Sequence, residues 1–184
     1  MKLYCSLRGD LSGRDAVYSL LQTAFSLQHK GKMPEIKKTP NGKPYFLDRP
    51  DIHFSLSHER THVMCGLSDE PIGVDIESPR IVSEHAMKYF CSSEELQQFE
   101  PLDLWVLKES YVKLLGARLP LVKEIRFSRD GGRIIAPSAD VTSRLYRIDG
   151  CTAAVSTYGK ITPDSVEFIQ IGQNAAYQMC SAEC

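Results

Sequence analysis

The sequence predicts an α+β fold built from two similar halves, and two observations carry this prediction. An apolar stripe at helical spacing over residues 14–28 is followed by short segments of alternating polarity. The same order returns when a helix over residues 103–116 is followed by further short alternating segments. A helix followed by strands, repeated once, is typical of two small α/β layers rather than of a helical solenoid. We expect the layers to meet near residue 75.

The first half contains one helix, over residues 14–28, with polar and turn-forming residues from 29 to 42 read as a loop. The clearest strand signal is at 52–57, where Ile52, Phe54 and Leu56 alternate with polar residues. Strands are expected over residues 2–7, 45–47, 52–57, 63–67 and 73–77.

The second half contains three expected helices, of which the longest opens at Pro101 and ends at Gly116, a residue suited to a helix C-terminus. Ser92 or Ser93 is the expected N-cap of the short middle helix. Helices are expected over 83–90, 94–99 and 103–116, strands over 124–129, 133–136, 144–149, 151–157 and 166–171, and a hairpin turn at 130–132. The predicted domain bounds are 1–74, 75–160 and a C-terminal extension at 161–184.

Composition excludes several classes of function. The chain has 184 residues, 42% of them hydrophobic, and a net charge of −1, so no general attraction to nucleic acid or to an anionic membrane is expected. No apolar run approaches the roughly 20 residues that span a bilayer. The first residues become polar too quickly for a signal peptide, which favours a cytoplasmic location and free thiols. The six cysteines are Cys5, Cys65, Cys91, Cys151, Cys180 and Cys184.

Two acidic motifs carry the chemistry. In the predicted strand 73–77, Asp75 and Glu77 are two residues apart, so both project from one face. In the helix, Glu109 and Lys113 lie one turn apart and share a face with Trp105, which we expect to serve mainly as core packing. Docking this face on the strand would gather three carboxylates and a lysine. Oxygen ligands in that number suit Mg²⁺, and the lysine suits a phosphate.

Each motif also has a structural interpretation without chemistry. Asp75 and Glu77 alone fit the solvated face of an edge strand. Glu109 and Lys113 alone fit an ordinary surface pair on a helix. The occurrence of both motifs in one chain, with further motifs upstream, favours the functional interpretation.

His58 and His62 match the HExxH pattern of zinc proteases, in which the two histidines share one face of a helix. The residues before His58 alternate with period two, and those after His62 are apolar and β-branched. A strand–turn–strand is therefore expected there, and a zinc hydrolase using His58 and His62 is kept only as a remote alternative.

Taken in order, four motifs resemble the 4′-phosphopantetheinyl transferase superfamily, in particular the pseudodimeric type that primes peptide- and polyketide-synthase carrier proteins. The last two motifs are specific as a pair, and the first two support them by order and spacing. The motifs are Gly42-Lys43-Pro44, Phe54-Ser55-Leu56-Ser57-His58, Gly73-Val74-Asp75-Ile76-Glu77 and Trp105-xx-Lys108-Glu109-Ser110-xx-Lys113.

The resemblance implies a fold of two α/β half-domains related by pseudo-two-fold symmetry, with a ligand cleft between them. It implies transfer of the 4′-phosphopantetheine arm of coenzyme A to a serine of an apo acyl or peptidyl carrier protein, with release of 3′,5′-ADP. Mg²⁺, or alternatively Mn²⁺, is the expected metal, and a chain that contains both halves is expected to act as a monomer.

The resemblance also implies roles for individual residues. Asp75, Glu77 and Glu109 are the expected metal ligands, and Glu109 and Lys113 are the expected catalytic residues. Glu109 is expected to take the serine proton directly or through water, and Lys113 to stabilise the leaving group. The residues expected to bind coenzyme A are Lys43, Ser57, His58, Arg14 and Ser19.

The beginning of the chain departs from the pattern, because relatives usually carry a longer first segment with basic residues. This departure motivates a second hypothesis, a degenerate member that binds coenzyme A or a carrier protein without turnover. Carrier recognition is expected on residues 81–99, with Ala86, Met87, Phe90 and Leu96 as apolar candidates that core packing would explain equally well.

Overall fold

The computed structural model describes residues 1–161 and 165–171. Within these residues the chain forms four α-helices, one 3₁₀ helix and eleven strands. The helices are α1 (Gly13–Gln28), α2 (Glu84–Phe90), α3 (Ser93–Leu96) and α4 (Pro101–Leu115), with the 3₁₀ helix at Leu119–Lys123. The strands are β1 (Lys2–Leu7), β2 (Ile36–Lys38), β3 (Pro44–Phe46), β4 (His53–His58), β5 (His62–Ser68), β6 (Ile72–Glu77), β7 (Ser128–Asp130), β8 (Arg133–Ile135), β9 (Val141–Ile148), β10 (Cys151–Tyr158) and β11 (Glu167–Phe168).

The α+β class expected from the sequence is confirmed, and the elements form four layers. One sheet has the strand order β11-β1-β5-β4, and a second has the order β6-β10-β9. Helix α1 packs on the outer face of the first sheet, and α4 packs on the outer face of the second. The inner faces of the two sheets bury a third apolar cluster between them. Strand β5 is buried along its whole length because it has apolar neighbours on both faces. The pseudo-two-fold relation and the domain bounds remain predictions.

The two sheets meet where β4 lies beside β6, and serine side chains make the hydrogen bonds between these strands. The backbone N–H of Val74 donates to Ser55 Oγ at 3.0 Å, and that of Ile76 donates to Ser57 Oγ at 3.3 Å. Both serines are buried. Alternation along β4 points the serines one way and apolar side chains the other, so a single strand supplies both the core and the junction.

Helix α4 approaches β6 so closely that only glycine fits at position 73. A Cβ built on Gly73 would lie 1.9 Å from the carbonyl oxygen of Ser110 and 2.4 Å from the backbone nitrogen of Leu114. The strand and the helix backbone are therefore in direct contact. This contact sets the distance between α4 and the side chains of Asp75 and Glu77, which follow Gly73 on β6.

The capping residues expected from the sequence mark the helix ends, although α3 ends at Leu96 and not at residue 99 as expected. Ser92 forms a full capping box with Glu95 at the start of α3, and Gly116 ends α4 with a left-handed backbone at φ 61°. Ser83 caps α2 by accepting a hydrogen bond from the backbone N–H of Ala86 at 3.2 Å. Local chemistry thus fixes where these helices begin and end.

Three expectations were wrong in detail. Residues 36–38, expected as loop, pair with β3 as a short strand. Of the expected strand 124–129 only residues 128 and 129 are in a strand, β7, because a 3₁₀ helix at Leu119–Lys123 occupies the chain immediately before residue 124. In the segment 166–171 only Glu167–Phe168 forms a strand, parallel to β1. Cys180, Cys184 and the rest of 172–184 lie outside the described residues.

The four described cysteines, Cys5, Cys65, Cys91 and Cys151, are free, as expected. Among the described residues, no helix combines the length and apolar character that crossing a bilayer requires.

A buried ion pair links α4 to the short helices α2 and α3, which precede it in the chain. Lys108 is fully buried, donates to the carbonyl of Phe90, and pairs with Glu95 at 2.8 Å. Glu95 also accepts from the backbone N–H groups of Ser92 at 2.9 Å and Phe127 at 3.0 Å. The pair therefore joins α2, α3, α4 and the segment before β7.

We expect Gly73→Ala to destabilise the protein by about 3 kcal/mol, because the added methyl group must push α4 away from β6. Gly31→Ala is the matched control, since Gly31 has φ 95° with nothing within 4 Å of an added Cβ. That control carries only backbone strain, about 1 kcal/mol. Urea unfolding of both variants measures the difference, and equal losses would contradict the close contact.

Lys108→Met is expected to cost about 3–5 kcal/mol in unfolding free energy, because it leaves the Glu95 carboxylate buried without its cation. Lys88→Met removes an exposed lysine that pairs with Glu84 at 2.7 Å on α2, and should cost under about 0.5 kcal/mol. A cost for Lys108→Met as small as that of Lys88→Met would show that the ion pair does not hold these helices together.

Candidate metal and phosphate site

Strand β6 and helix α4 bring three carboxylates together at the junction of the two sheets. Asp75 and Glu77 project from the face of β6 that meets α4, and Glu109 projects from α4 toward them. One carboxylate oxygen from each residue lies within 4.8 Å of the others. The grouping expected from the two sequence motifs is present in the fold.

Asp75 is the most buried member, with only 3% of its surface exposed. Its Oδ1 accepts hydrogen bonds from Ser57 Oγ at 2.7 Å and from Lys113 Nζ at 2.6 Å. Its Oδ2 is buried and has no hydrogen-bond partner among residues 1–161 and 165–171. A buried carboxylate oxygen left in this state is costly unless a further positive group contacts it.

Trp105 orients Glu77, which adds to the packing role expected for it. The indole Nε1 donates to Glu77 Oε1 at 3.0 Å, and the ring packs edge-on against Phe90 with centroids 5.0 Å apart. Glu77 Oε2 lies 3.4 Å from Arg80 Nε. The four-residue spacing from Trp105 to Glu109 was the available signal, because it places the indole on the face of α4 that meets β6.

Glu109 has the most perturbed acid–base property in the cluster. Burial, together with the negative charges of Asp75 and Glu77, raises the pKa of its carboxyl to about 7, while Lys113 opposes the shift. The neutral form of Glu109 is therefore favoured both by its buried position and by the two neighbouring carboxylates.

The three carboxylates fit a hard divalent cation. All the donor atoms are oxygens, the Asp75 Oδ2 atom lacks a partner, and the raised pKa of Glu109 reports a repulsion that a cation would relieve. Mg²⁺ and Mn²⁺ take such ligands, usually with water and substrate phosphates completing the shell.

Lys113 lies directly beside the acidic cluster. Its Nζ is 2.6 Å from Asp75 Oδ1, 3.0 Å from Ser57 Oγ and 3.9 Å from Glu109 Oε2. The side chain is 29% exposed, so the ammonium group is anchored on one side and open to a ligand on the other. An ammonium group held in this way is suited to an anionic oxygen.

A cleft leads from this lysine along the C-terminal end of α4. One part, of about 240 Å³, is lined by Gly42, Lys43, Ser55, Lys113 and neighbouring residues. A second part, of about 520 Å³, continues past Tyr45 and Tyr158. Taken together, the two parts have a volume in the range of small-molecule sites.

Lys43 lines the cleft, but its ammonium group is already engaged. Nζ donates to the carbonyl of Leu114 at 2.7 Å and to that of Ile72 at 3.4 Å, which satisfies the C-terminal end of α4. Burial lowers the pKa of Lys43 to about 8. The phosphate contact expected for Lys43 remains a prediction, in addition to this structural role.

The other residues expected to bind coenzyme A are placed differently from one another. Ser57 is buried and bonded to Asp75, so it belongs to the acidic cluster. His58 is exposed at the end of β4, over Gly13, where a Cβ would lie 2.7 Å from its Nδ1. Arg14 is exposed in the first turn of α1. Ser19 is 1% exposed and offers no surface to a ligand, so the structure does not support its predicted contact.

The fold is inconsistent with the zinc-hydrolase alternative. His58 ends β4 and His62 begins β5, so the HExxH residues form a hairpin turn instead of a helix. His58 is exposed whereas His62 is buried. The two imidazoles therefore do not share the helical face that this motif requires.

Comparison with known proteins supports the same interpretation of the site as its geometry does. The family model of the 4′-phosphopantetheinyl transferase superfamily matches residues 71–156. The 4′-phosphopantetheinyl transferase Sfp of Bacillus subtilis (strain 168) is 32% identical over 127 residues, which cover 61% of this chain and 57% of that protein. The 4′-phosphopantetheinyl transferase gsp of Aneurinibacillus migulanus is 37% identical over 90 residues, covering 44% of this chain and 37% of that protein.

A 4′-phosphopantetheinyl transferase of Bacillus subtilis is 35% identical over 103 residues, covering 49% of this chain and 46% of that protein. The chain thus spans about half the length of the curated relatives that it matches. The matched segment 71–156 contains Asp75, Glu77, Glu109 and Lys113. The resemblance noted from the sequence motifs is confirmed, because residues 71–156 of this chain match the family model of the 4′-phosphopantetheinyl transferase superfamily.

Proposed function

We propose that this chain transfers the 4′-phosphopantetheine arm of coenzyme A to a serine of an apo carrier protein and releases 3′,5′-ADP. The observation that carries the proposal is the convergence of Asp75, Glu77 and Glu109 beside Lys113, inside the segment matched by the family. Coenzyme A is the substrate, and the chain acts as a monomer in the cytoplasm.

Asp75, Glu77 and Glu109 would hold Mg²⁺, with Mn²⁺ as the alternative ion. When bound, the ion neutralises charge on the pyrophosphate oxygens of coenzyme A. The chain contributes rigidity to this site: Trp105 fixes Glu77 at 3.0 Å, and Ser57 with Lys113 fixes Asp75. Ligands held in advance lose little freedom on binding.

In the transfer, the serine oxygen bonds to the β-phosphorus and the bond from that phosphorus to the bridging oxygen of the pyrophosphate breaks. Glu109 accepts the serine proton, directly or through a water molecule. Lys113 donates to the oxygen of the leaving group, where negative charge develops.

The cleft along the end of α4 would take the nucleotide part of coenzyme A. His58 and Arg14 are exposed beside the start of α1 and would meet phosphate groups, and Lys43 would do so from the cleft wall. Ser57 would act through Asp75 rather than by reaching the nucleotide.

A second candidate is a member that binds coenzyme A or a carrier protein without turnover. It is favoured by the burial of Ser19 and by the bonds that Lys43 already makes to α4, since both reduce the expected nucleotide contacts. The experiment below separates it from the enzyme.

The transfer is tested by incubating apo carrier proteins of peptide, polyketide and fatty-acid synthases with the chain, coenzyme A and Mg²⁺, and measuring intact mass. We expect a gain of one phosphopantetheine arm that disappears with a chelator and returns with added Mg²⁺. Absence of the gain on all three carriers, with coenzyme A still bound, would establish the binding-only candidate.

Glu109→Gln is expected to lower the transfer rate at least about 100-fold while the fold is kept, because the amide cannot accept the serine proton and is a poor metal ligand. Glu124→Gln, at an exposed glutamate away from the cluster, is the matched control and should keep the full rate. Near-normal transfer by Glu109→Gln would refute its role as base and ligand.

The carrier protein would dock on residues 81–99, although the structure changes which side chains are available. Phe90 is 2% exposed and belongs to the core, and Ala86 and Met87 pack against that core. Leu96 is 42% exposed, as a docking residue should be. Tyr89 and Ile81, which the sequence did not single out, are exposed by 43% and 98%.

Leu96→Ser is expected to raise the carrier KM about five-fold or more with unchanged coenzyme A affinity, since it removes apolar contact area from the docking face only. Leu27→Ser, at a leucine that is 61% exposed on α1, is the control and should leave the carrier KM unchanged. Steady-state kinetics with varied carrier, together with coenzyme A titration, give both quantities, and an unchanged KM in Leu96→Ser would place the carrier elsewhere.

A further inference from the structure

A second group of metal-ligating side chains lies just beyond the C-terminal end of β6, between the two sheets. Glu59 follows β4, His62 begins β5, and Cys151 begins β10. One potential ligand atom from each lies within 4.8 Å of the others. None of these residues takes part in the proposed transfer reaction.

The two separations from the His62 nitrogen to the other ligand atoms fit one tetrahedral ion. His62 Nδ1 lies 3.4 Å from Cys151 Sγ and 3.2 Å from Glu59 Oε1. Zinc bond lengths of about 2.3 Å to sulfur and about 2.0–2.1 Å to nitrogen and oxygen place such atoms about 3.6 Å and about 3.3 Å apart at tetrahedral angles.

A further carboxylate orients the imidazole in the way metal-binding histidines require. His62 Nε2 is 3.1 Å from Asp149 Oδ2, so a proton on Nε2 leaves the lone pair of Nδ1 directed at the cluster. Asp149 has a left-handed backbone, φ 47°, in the turn between β9 and β10. Its side chain is 66% exposed, so the group lies just beneath the surface.

Burial and charge distinguish this group from a surface cluster. The side chains of His62 and Glu59 are 5% and 6% exposed, and Cys151 is 2% exposed. Burial raises the pKa of the Cys151 thiol, which therefore carries its proton near neutral pH. One thiolate and one carboxylate offset the two charges of a divalent cation, leaving a neutral buried unit.

Thr61 and Ser78 complete the surroundings. Thr61 Oγ1 lies 2.8 Å from His62 Nδ1 and 2.5 Å from Glu59 Oε1, and Ser78 Oγ donates to Glu59 Oε2. The backbone N–H groups of Thr61 and His62 donate to Glu59 Oε1 at 2.7 Å and 2.6 Å. When the Thr61 O–H bond points toward Glu59, the lone pair of His62 Nδ1 is free to bind an ion.

We propose that Glu59, His62 and Cys151 bind one Zn²⁺ ion in a structural site that joins the two sheets. Sulfur and imidazole ligands select Zn²⁺ over Mg²⁺, which separates this site from the carboxylates of the reaction centre. On binding, the Sγ–H bond of Cys151 breaks, its electron pair forms the Sγ–Zn bond, and the proton leaves to solvent. His58 has no part in the site, which therefore shares Glu59 and His62 with the HExxH pattern but not its pair of histidines on one helical face.

Co²⁺ is the probe, because a thiolate ligand gives a Co²⁺ charge-transfer band in the near ultraviolet that oxygen ligands do not. The full chain is stripped of metal, kept reduced and titrated with Co²⁺ alone. We expect the band to saturate at one equivalent and to vanish when Zn²⁺ displaces Co²⁺. Absence of the band in the wild-type chain overturns the proposal.

Three variants locate the site. Cys151→Ser should abolish the band, whereas Cys91→Ser, at a half-buried cysteine outside the group, and Glu109→Gln should keep it. A band that persists in Cys151→Ser overturns the assignment. If Cys151→Ser does not fold, the thiols of the wild-type chain are alkylated with and without Zn²⁺, and the modified cysteines are identified by mass spectrometry. We expect Zn²⁺ to slow the alkylation of Cys151 at least about ten-fold. An unchanged rate overturns the proposal.

Discussion

The contact between helix α4 and strand β6 is the constraint on which the candidate reaction centre depends. Gly73 lets the two backbones touch, and two positions further along β6 the Asp75 carboxylate meets Lys113 at 2.6 Å. Without this approach, the carboxylates of the strand and the helix would be separate surface groups of little consequence. The close packing therefore brings two ordinary motifs together in one cluster of charge, and both burial and the neighbouring carboxylates raise the pKa of Glu109.

The polar junction between the sheets ties the same cluster to the first half of the chain. Ser57 of β4 donates to Asp75 and accepts from the backbone of Ile76, so one buried hydroxyl serves both the fold and the site. Just beyond the C-terminal end of the same strand, Ser78 links to Glu59 in the proposed zinc group. Both groups of ligands thus lie where the sheets meet, and binding of either ion would stabilise the folded chain by mass action.

The sequence was sufficient for the α+β class, the helix ends and the acidic cluster, because capping residues and strand alternation act locally. It was insufficient for contacts that only the packed fold creates. The engagement of Lys43 by the end of α4, the burial of Ser19, and the bond from Trp105 to Glu77 join segments far apart in sequence. The grouping of His62 with Cys151 depends on how the two sheets stack, and no motif spacing encodes that.

The central claim is that Asp75, Glu77 and Glu109 form one site for a hard divalent cation. The most direct test is binding of Mn²⁺, followed by the loss of the free-ion electron paramagnetic resonance signal, with coenzyme A present and absent. We expect the wild-type chain to bind one Mn²⁺ ion that Mg²⁺ displaces, and a folded Asp75→Asn variant to lose this binding. Equal Mn²⁺ binding by the variant, or no binding by the wild-type chain under either condition, would contradict it.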